Sequence, residues 1–233
     1  MRKWENDSAG VLSRINIHYV AEVAGNTQIL IRAAVLEQAA IFAAVKSIVG
    51  GFLARSHQSY PLFRLADGEV LIQIAPRDEF AEAIVEQVGR EIRQTVYAFS
   101  CFPDVDAFAY WHYRGKKLLR HLKFGGKDGT RTWNAVAGQP EAWETDVFFS
   151  EEEMYRQLQD AKTHFPAQIP EIKRMYTEPG LKLGSHYPRL RGTESLRILQ
   201  ALGWPGQNHP LRVQHQEVLA PERRSWWDRL LGG

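Results

Sequence analysis

The stretch YWHYRGKKLLRHLKFGGKDGTRTWNAVAGQPEAWE, residues 110–144, decides the predicted fold, because its rings, aliphatic residues and cations alternate on either side of glycine-containing turns. Alternation with a period of two is typical of half-buried β-strands. We therefore predict a three-stranded antiparallel meander with its first turn at Arg114-Gly115 and its second in the loop GGKDG. In that register one core-facing set of side chains lies together: Trp111, Leu118 and Leu122.

Two further hairpins are predicted before the meander. Residues 14–23 alternate as a strand, and Gly25-Asn26 can form a tight turn to a second strand that follows it. Asp67-Gly68 stands between two apolar runs, the combination that most favours a type I′ hairpin turn. Antiparallel hairpins are therefore expected to supply much of the sheet.

Helices are predicted where the apolar period changes. Residues 36–49 are apolar almost all round and favour a buried helix, although a single helix over residues 27–49 remains an alternative. A second helix is predicted from apolar residues at every fourth position, Phe80, Ile84, Val88, Ile92 and Val96. Gly89 within it indicates a close helix-to-sheet approach.

The C-terminal part begins with a well-marked helix and then changes in composition. Ser150 is a good N-cap, and Glu153 completes a capping box three residues later. Seven of the eleven prolines follow residue 165. We therefore divide the chain into an α+β domain, 1–165, and an irregular proline-rich extension, 166–233, that wraps it and ends in a short tryptophan helix.

The predicted fold class is thus α+β, with antiparallel hairpins and a three-stranded meander packed on two or three helices. The 233 residues, 44% hydrophobic and 24% charged, are ordinary for a globular protein. A single cysteine, Cys101, excludes an intrachain disulfide, and we expect a cytoplasmic protein. The apolar residues 29–49 contain Arg32, Glu37 and Lys46, so we expect a core element and no transmembrane segment.

No reactive constellation is found in the sequence. The eight histidines include no pair at i,i+4 with an intervening glutamate, and no cysteine pair accompanies them. A Gly-x-Ser-x-Gly elbow and the phosphate-binding glycine loops are also missing. We therefore predict no catalytic residue, no metal and no cofactor.

Charge is distributed unevenly in spite of a net charge of +2. Residues 110–131 carry seven cations and one acid, a local charge of +6, whereas residues 141–160 carry seven acids and one arginine, a local charge of −6. Rings and cations together can stack bases and neutralise phosphates, as on nucleic-acid-binding sheets. The alternative is that the two segments face each other or are both solvated.

Two other segments favour binding. Residues 183–195 place arginines, a histidine and hydroxyls before a predicted helix, where they can hold an anion or simply form a surface loop. The last residues place two tryptophans at helical spacing from Leu230 and Leu231, and such an end can dock on its own domain, bind in a partner's groove or lie on a membrane surface. The candidate binding residues are Tyr110, His112, Lys117, His121, Lys123, His186, Arg189, Arg191, Trp226 and Trp227.

One resemblance is carried by residues 110–144, through Leu-Arg-x-Leu-x-Phe-Gly, a following Trp, and Gly-x-Pro-x-x-Trp-Glu. This pattern resembles a segment of uncharacterised bacterial cytoplasmic proteins, some of them of the immunity or accessory type. The resemblance implies binding and no catalytic residues. We therefore expect a non-catalytic cytoplasmic bacterial protein that binds a macromolecule, in the first place a protein. A small hydrolase or transferase is the alternative, and a nucleic-acid-binding protein is the third candidate.

Overall fold

The computed structural model of the protein describes most of the chain. The described residues are 27–75, 78–102, 105–125, 131–178, 180–187, 192–205 and 212–221. The predicted first strand at residues 14–23 and its turn at Gly25-Asn26 lie outside them.

Eight strands form one open, entirely antiparallel sheet in the order β7-β6-β5-β4-β1-β3-β2-β8. The strands are β1 (Thr27–Arg32), β2 (Tyr60–Leu65), β3 (Val70–Ile74), β4 (Thr95–Phe102), β5 (Ala107–Arg114), β6 (Lys117–Phe124), β7 (Trp133–Gly138) and β8 (Val213–Leu219). The α+β fold class and the meander, which is β5–β6–β7, are confirmed.

Helices cover both faces of the sheet. They are α1 (Gln38–Leu53), α2 (Ala81–Glu91), α3 (Ala142–Phe148), α4 (Glu151–His164), α5 (Ile169–Thr177) and α6 (Gly192–Ala201). Helices α1 and α2 pack on one face, and α3, α5 and α6 on the other, while α4 packs on α3 and α5. Because successive strand residues point to opposite faces, Leu30 belongs to one core and its neighbours Ile29 and Ile31 to the other.

The C-terminal region contributes to the same layers. In the described part of residues 166–233, helices α5 and α6 pack on one core, and β8 pairs with β2 at the edge of the sheet. This region is therefore more regular than its proline content indicates.

The predicted helix over residues 80–96 is too long. Helix α2 ends at Glu91, Ile92 is extended with φ −82° and ψ 129°, and Val96 belongs to β4. Strand β4 pairs with β1 and β5, so central sheet pairing overrides the four-residue period there. The alternative of one helix over residues 27–49 is also wrong, because β1 is separate from α1.

The hairpin at Asp67-Gly68 is confirmed, but its turn type is wrong. Gly68 has φ 87° while Asp67 is not left-handed, and the N–H of Leu65 donates to the carbonyl of Glu69 at 2.9 Å. A type I′ turn needs two left-handed residues. Such a pair occurs instead between β5 and β6, at Gly115 (φ 58°) and Lys116 (φ 73°).

The predicted register of β5 and β6 is wrong for two reasons. The turn lies one residue later, at Gly115-Lys116, and the register shifts between His112 and Tyr113, where Leu119 is the extra residue of a bulge on β6. Leu122 consequently pairs with Tyr110. An extra residue in one strand reverses the facing of every residue beyond it. The three residues predicted to share a core face are consequently separated: Trp111 and Leu122 are buried on opposite faces and Leu118 is 38% exposed.

Helix α1 is buried on one side only, contrary to the prediction of a helix buried all round. Its Ile41, Val45 and Val49 pack on the sheet, whereas its alanines and Lys46 are exposed. By length and composition alone, Val35–Leu53 is long and apolar enough to cross a membrane. Because its apolar face joins the core around the sheet, we keep the interpretation of a core helix.

Two local predictions are confirmed. The hydroxyl of Ser150 accepts a hydrogen bond from the N–H of Glu153 at 3.3 Å and starts α4. Gly89 lies against the buried ring of Tyr113, since a Cβ at residue 89 would be 2.5 Å from the ring carbons. Helix α2 thus approaches β5 more closely than any other residue type would allow.

Gly89→Ala and Gly51→Ala test this approach as a matched pair. Each variant gains about 1 kcal/mol of helix propensity. Gly51 has nothing within 4 Å of its would-be Cβ, but overpacking at residue 89 costs about 1–3 kcal/mol. We expect Gly89→Ala to be about 1–3 kcal/mol less stable than Gly51→Ala in urea unfolding. Equal free energies of unfolding for the two variants would contradict the close approach.

Candidate functional site

A buried ion pair joins the meander to the first helix that covers it. The guanidinium of Arg120 on β6 donates to both carboxylate oxygens of Glu144 on α3, at 2.7 and 2.6 Å. Arg120 and Glu144 are 2% and 3% exposed, and Arg120 also donates to the carbonyls of Ala137 and Gly138. Two parallel hydrogen bonds between the planar guanidinium and the carboxylate fix the position of α3 on the sheet and pair the two buried charges.

The same carboxylate organises the start of α3. Glu141 is the N-cap and its side chain accepts from the backbone N–H of Glu144, while Glu144 accepts from the N–H of Glu141 at 2.9 Å. This reciprocal arrangement is a capping box built from two glutamates. It holds the side chain of Glu141 against β5.

Three side chains donate to the carboxylate of Glu141. They are the hydroxyl of Tyr110 at 2.8 Å, the indole N–H of Trp143 at 2.6 Å and Nδ1 of His112 at 2.5 Å. Burial alone would raise the pKa of Glu141, but these hydrogen bonds outweigh it and lower the pKa below its usual value. Glu141 is therefore an ionised carboxylate near neutral pH.

His112 is consequently held in one orientation. An ionised carboxylate only accepts hydrogen bonds, so Nδ1 of His112 carries the proton in its contact with Glu141. The imidazole also lies against the ring of Tyr97, with centroids 4.5 Å apart. Its Nε2 is buried and has no hydrogen-bond partner among the described residues. A buried polar atom without a partner costs about 1–3 kcal/mol.

An open cleft of about 500 Å³ adjoins His112 and Glu141. Its other lining residues are mostly exposed and come from β6, the end of β7 and the start of α3: Lys117, Leu118, Leu119, Gly138, Gln139, Pro140 and Ala142. The cleft thus combines apolar walls with one imidazole, one ammonium group and one amide.

Beside the cleft lies a group of exposed cations that we call the hairpin tip, formed by Arg93, Arg114, Lys116 and Lys117. Arg93 precedes β4 and its backbone carbonyl is 3.8 Å from the would-be Cβ of Gly115 in the turn. None of the four cations makes an ion pair with a described residue.

The structure brings three of the predicted binding residues together: Tyr110, His112 and Lys117. Tyr110 is buried and serves the site by donating to Glu141, and burial raises the pKa of its hydroxyl. His112 and Lys117 line the cleft.

His121 and Lys123 lie on the opposite face of the sheet, under α2. The imidazole of His121 stacks on Trp111 with centroids 5.2 Å apart, and burial lowers its pKa. Lys123 pairs with Glu82 of α2 at 2.5 Å. The candidate binding residues of the hairpin are therefore divided between the two faces of the sheet. The bulge is the reason, because it pairs His121 with Trp111 on the face under α2, whereas without the extra residue His121 would pair with Tyr110 on the face of His112.

His186 is remote from the cleft. It forms an isolated bridge with Thr132, its N–H donates to Glu171 at 3.2 Å, and burial lowers the pKa of its imidazole. The other predicted binding residues, Arg189, Arg191, Trp226 and Trp227, lie outside the described residues.

Sequence reasoning missed Glu141, Glu144 and Arg120 as members of a site. The two glutamates belong to the acidic run 141–160, and the interpretation that this run faces the cationic segment is confirmed for Glu144, which pairs with Arg120. The available signal was the Glu-x-x-Glu spacing directly after Pro140, which matches the capping box. Because glutamate is not among the favoured N-cap residues, the Glu-x-x-Glu spacing does not by itself indicate a helix start.

A second buried polar cluster has a structural role. Glu153 of α4 accepts from Tyr187, Arg156 and Gln157, and Arg156 also bridges to Glu194 of α6. Burial raises the pKa of Tyr187 well above its usual value, so its hydroxyl is a donor. This cluster ties α4 to α6 and accounts for part of the acidic segment.

No cluster of three or more potential metal ligands occurs within the described ranges. Comparison with known proteins adds no relative: no family model, no curated protein and no solved structure matches the chain.

Arg120→Met tests the buried ion pair. The variant leaves Glu144 charged, buried and without its guanidinium, a change that costs about 3–5 kcal/mol. We expect a fall of that size in the free energy of urea unfolding. Lys123→Met on the same strand is the control, because it removes an exposed pair worth about 0–1 kcal/mol. A similar small loss for both variants would contradict a structural role of the Arg120 pair.

Glu141→Gln tests the ionised carboxylate through pH. Because the folded-state pKa is lowered, the stabilisation is complete above the unfolded-state value of 4.5 and is lost as the pH falls through the folded-state value. The variant lacks this contribution. We therefore expect the stability gap between wild type and Glu141→Gln to narrow as urea unfolding is repeated from pH 6 towards pH 3.

Other acids titrate in both the wild type and Glu141→Gln, so the difference in unfolding free energy between these two proteins reports on Glu141. Glu86→Gln, at an exposed position of α2, is the matched control. A gap for Glu141→Gln that stays constant over this pH range would contradict the assignment.

Proposed function

We propose that this chain is a binding protein whose hairpin tip and adjoining cleft contact an acidic, partly apolar surface of a protein partner. The observation that carries the proposal is the group of four exposed cations at the tip without ion pairs among the described residues. Some cations elsewhere are paired within the chain, as Arg32 is with Glu69 and Lys46 with Glu217.

In this proposal the positive charge of the hairpin tip attracts the partner, and the cleft supplies the surface that the partner contacts. Exposed charges of one sign accelerate association with a surface of the opposite sign and contribute to specificity. Leu118 and Pro140 are exposed beside these cations and offer apolar area that a partner can cover. A polar rim around a small apolar centre is the usual composition of a protein–protein interface.

The cellular setting is part of the proposal. Cys101 is buried and 1% exposed, which is consistent with a protein that makes no use of disulfides in a reducing cytoplasm. A bacterial immunity or accessory role is one form that such binding takes, and its support is the resemblance of residues 110–144.

One observation favours a second candidate, a small hydrolase or transferase. His112 held by Glu141 has the arrangement of a general base and its orienting carboxylate. However, no serine, threonine or cysteine in the described part of the chain is hydrogen-bonded to His112. A pocket that binds and does not transform its ligand is the simpler use of this geometry.

Nucleic-acid binding has less support. Base stacking needs exposed rings, and the rings of the predicted platform are all buried: Tyr110, Trp111, Tyr113 and Phe124. The cations of the tip remain able to contact phosphates, so the experiment must separate the two partners.

Reversal of charge at the tip tests the proposal. Cross-linked partners are captured from native cells, with and without nuclease treatment, by three tagged full-length proteins. These are the wild type, the tip variant Arg114→Glu/Lys117→Glu and the control Lys162→Glu/Lys173→Glu. The control changes net charge equally on exposed residues of α4 and α5. We expect one protein that is retained by wild type and control and bound on the order of tenfold more weakly by the tip variant.

The affinity for that protein is then measured with purified components at two salt concentrations, because exposed charges are screened by salt. Equal binding of the captured protein by the wild type and the tip variant, or retention of nucleic acid in place of protein, would contradict the proposal.

A further inference from the structure

We infer that the cleft recognises a carboxylate on an aliphatic body, held between Nε2 of His112 and the ammonium group of Lys117. The inference rests on the proposed function for its source, an acidic side chain flanked by apolar residues on the partner protein. It adds the chemistry of the group that enters the cleft.

The first argument is the unpartnered Nε2 atom. Nδ1 of His112 is committed to Glu141, and Nε2 is buried without a hydrogen-bond partner among the described residues. A ligand group that bonds to Nε2 removes the cost of that burial. Because Nε2 is shielded from water while His112 lines the cleft, a ligand reaches it only after a wall side chain moves. Lys117 and Gln139 are exposed residues of that wall.

The second argument concerns charge. Glu141 already accepts from Tyr110, Trp143 and His112, so its negative charge is satisfied by the chain itself. Because a bare Nε2 and a carboxylate are both acceptors, the ligand binds together with one proton taken from solvent, and His112 then donates Nδ1–H to Glu141 and Nε2–H to the ligand. The imidazolium would thus lie between two carboxylates, each of which stabilises its charge.

The third argument is the rest of the lining. Leu118, Leu119 and Pro140 provide apolar contacts for the carbon atoms next to the carboxylate. The hairpin tip adds positive charge outside the cleft, which raises the local concentration of acidic groups. A hydroxyl or amide ligand would satisfy Nε2 but would gain nothing from Lys117 or the tip.

A peptide titration tests the inference without any partner protein. The uniformly ¹⁵N-labelled full chain is titrated with N-acetylated, C-amidated Leu-Glu-Leu, with the matching Leu-Gln-Leu, and with free 4-methylpentanoate, while the imidazole nitrogens of His112 are observed by NMR. We expect the Glu peptide to shift the Nε2 resonance at millimolar concentration and the Gln peptide to bind at least about tenfold more weakly.

Variants identify the contacts. Lys117→Gln is expected to weaken the Glu peptide about fivefold and His112→Gln about tenfold, whereas Lys123→Gln, on the opposite face of the same strand, leaves binding unchanged. Lys117 is exposed, so its variant keeps the fold intact even where His112→Gln is less stable.

Three results would overturn the inference: no shift at His112, equal binding of the Glu and Gln peptides, or binding of the free acid alone. The last would assign the cleft to a small acid and not to a protein side chain. If the peptide binds but no partner is captured, only the proposed function is contradicted. If a partner is captured but the peptide does not bind, only this inference is contradicted.

Discussion

The structure around the candidate site depends on one buried ion pair, Arg120 with Glu144. Two charges withdrawn from water are stable only if both are fully hydrogen-bonded, and here the guanidinium has two carboxylate oxygens and two backbone carbonyls as acceptors. The geometry leaves one position for the start of α3 on the meander. The placement of the Glu141 side chain follows from the position of α3, because the capping box ties Glu141 to Glu144. The hydrogen bond from His112 to Glu141 then determines the orientation of the imidazole.

The bulge in the β5–β6 hairpin is what allows this pair to form. Without the extra residue, Arg120 would face α2, and His112 would face a different neighbour on β6. Gly138 is part of the same arrangement, since a Cβ at that residue would lie 1.8 Å from the carbonyl oxygen of Leu119 in the bulge. The end of β7 can therefore approach the bulge only with glycine at this position, and its carbonyl is then within reach of Arg120.

The parts of the fold that local sequence predicts are those set by local physics. Ser150 with Glu153, the hairpin at Asp67-Gly68 and the close approach at Gly89 each depend on neighbours in the chain or on one missing side chain. Strand β4 was missed because its pairing with β1 is decided by residues far away in sequence. The site was predictable only as residue types: His112 and Lys117 were among the candidate residues and line one cleft, but Glu141, the partner of His112, is 29 residues away in sequence and depends on the bulge.

The central claim is that Glu141 fixes the proton of His112 on Nδ1 and leaves Nε2 for a ligand. Long-range ¹H–¹⁵N correlation spectra of the imidazole in the free, full-length protein report directly which ring nitrogen carries the proton. We expect a protonated Nδ1 in wild type, and altered ring-nitrogen shifts when Glu141 is replaced by glutamine. A neutral His112 with its proton on Nε2 and a bare Nδ1 would contradict the account.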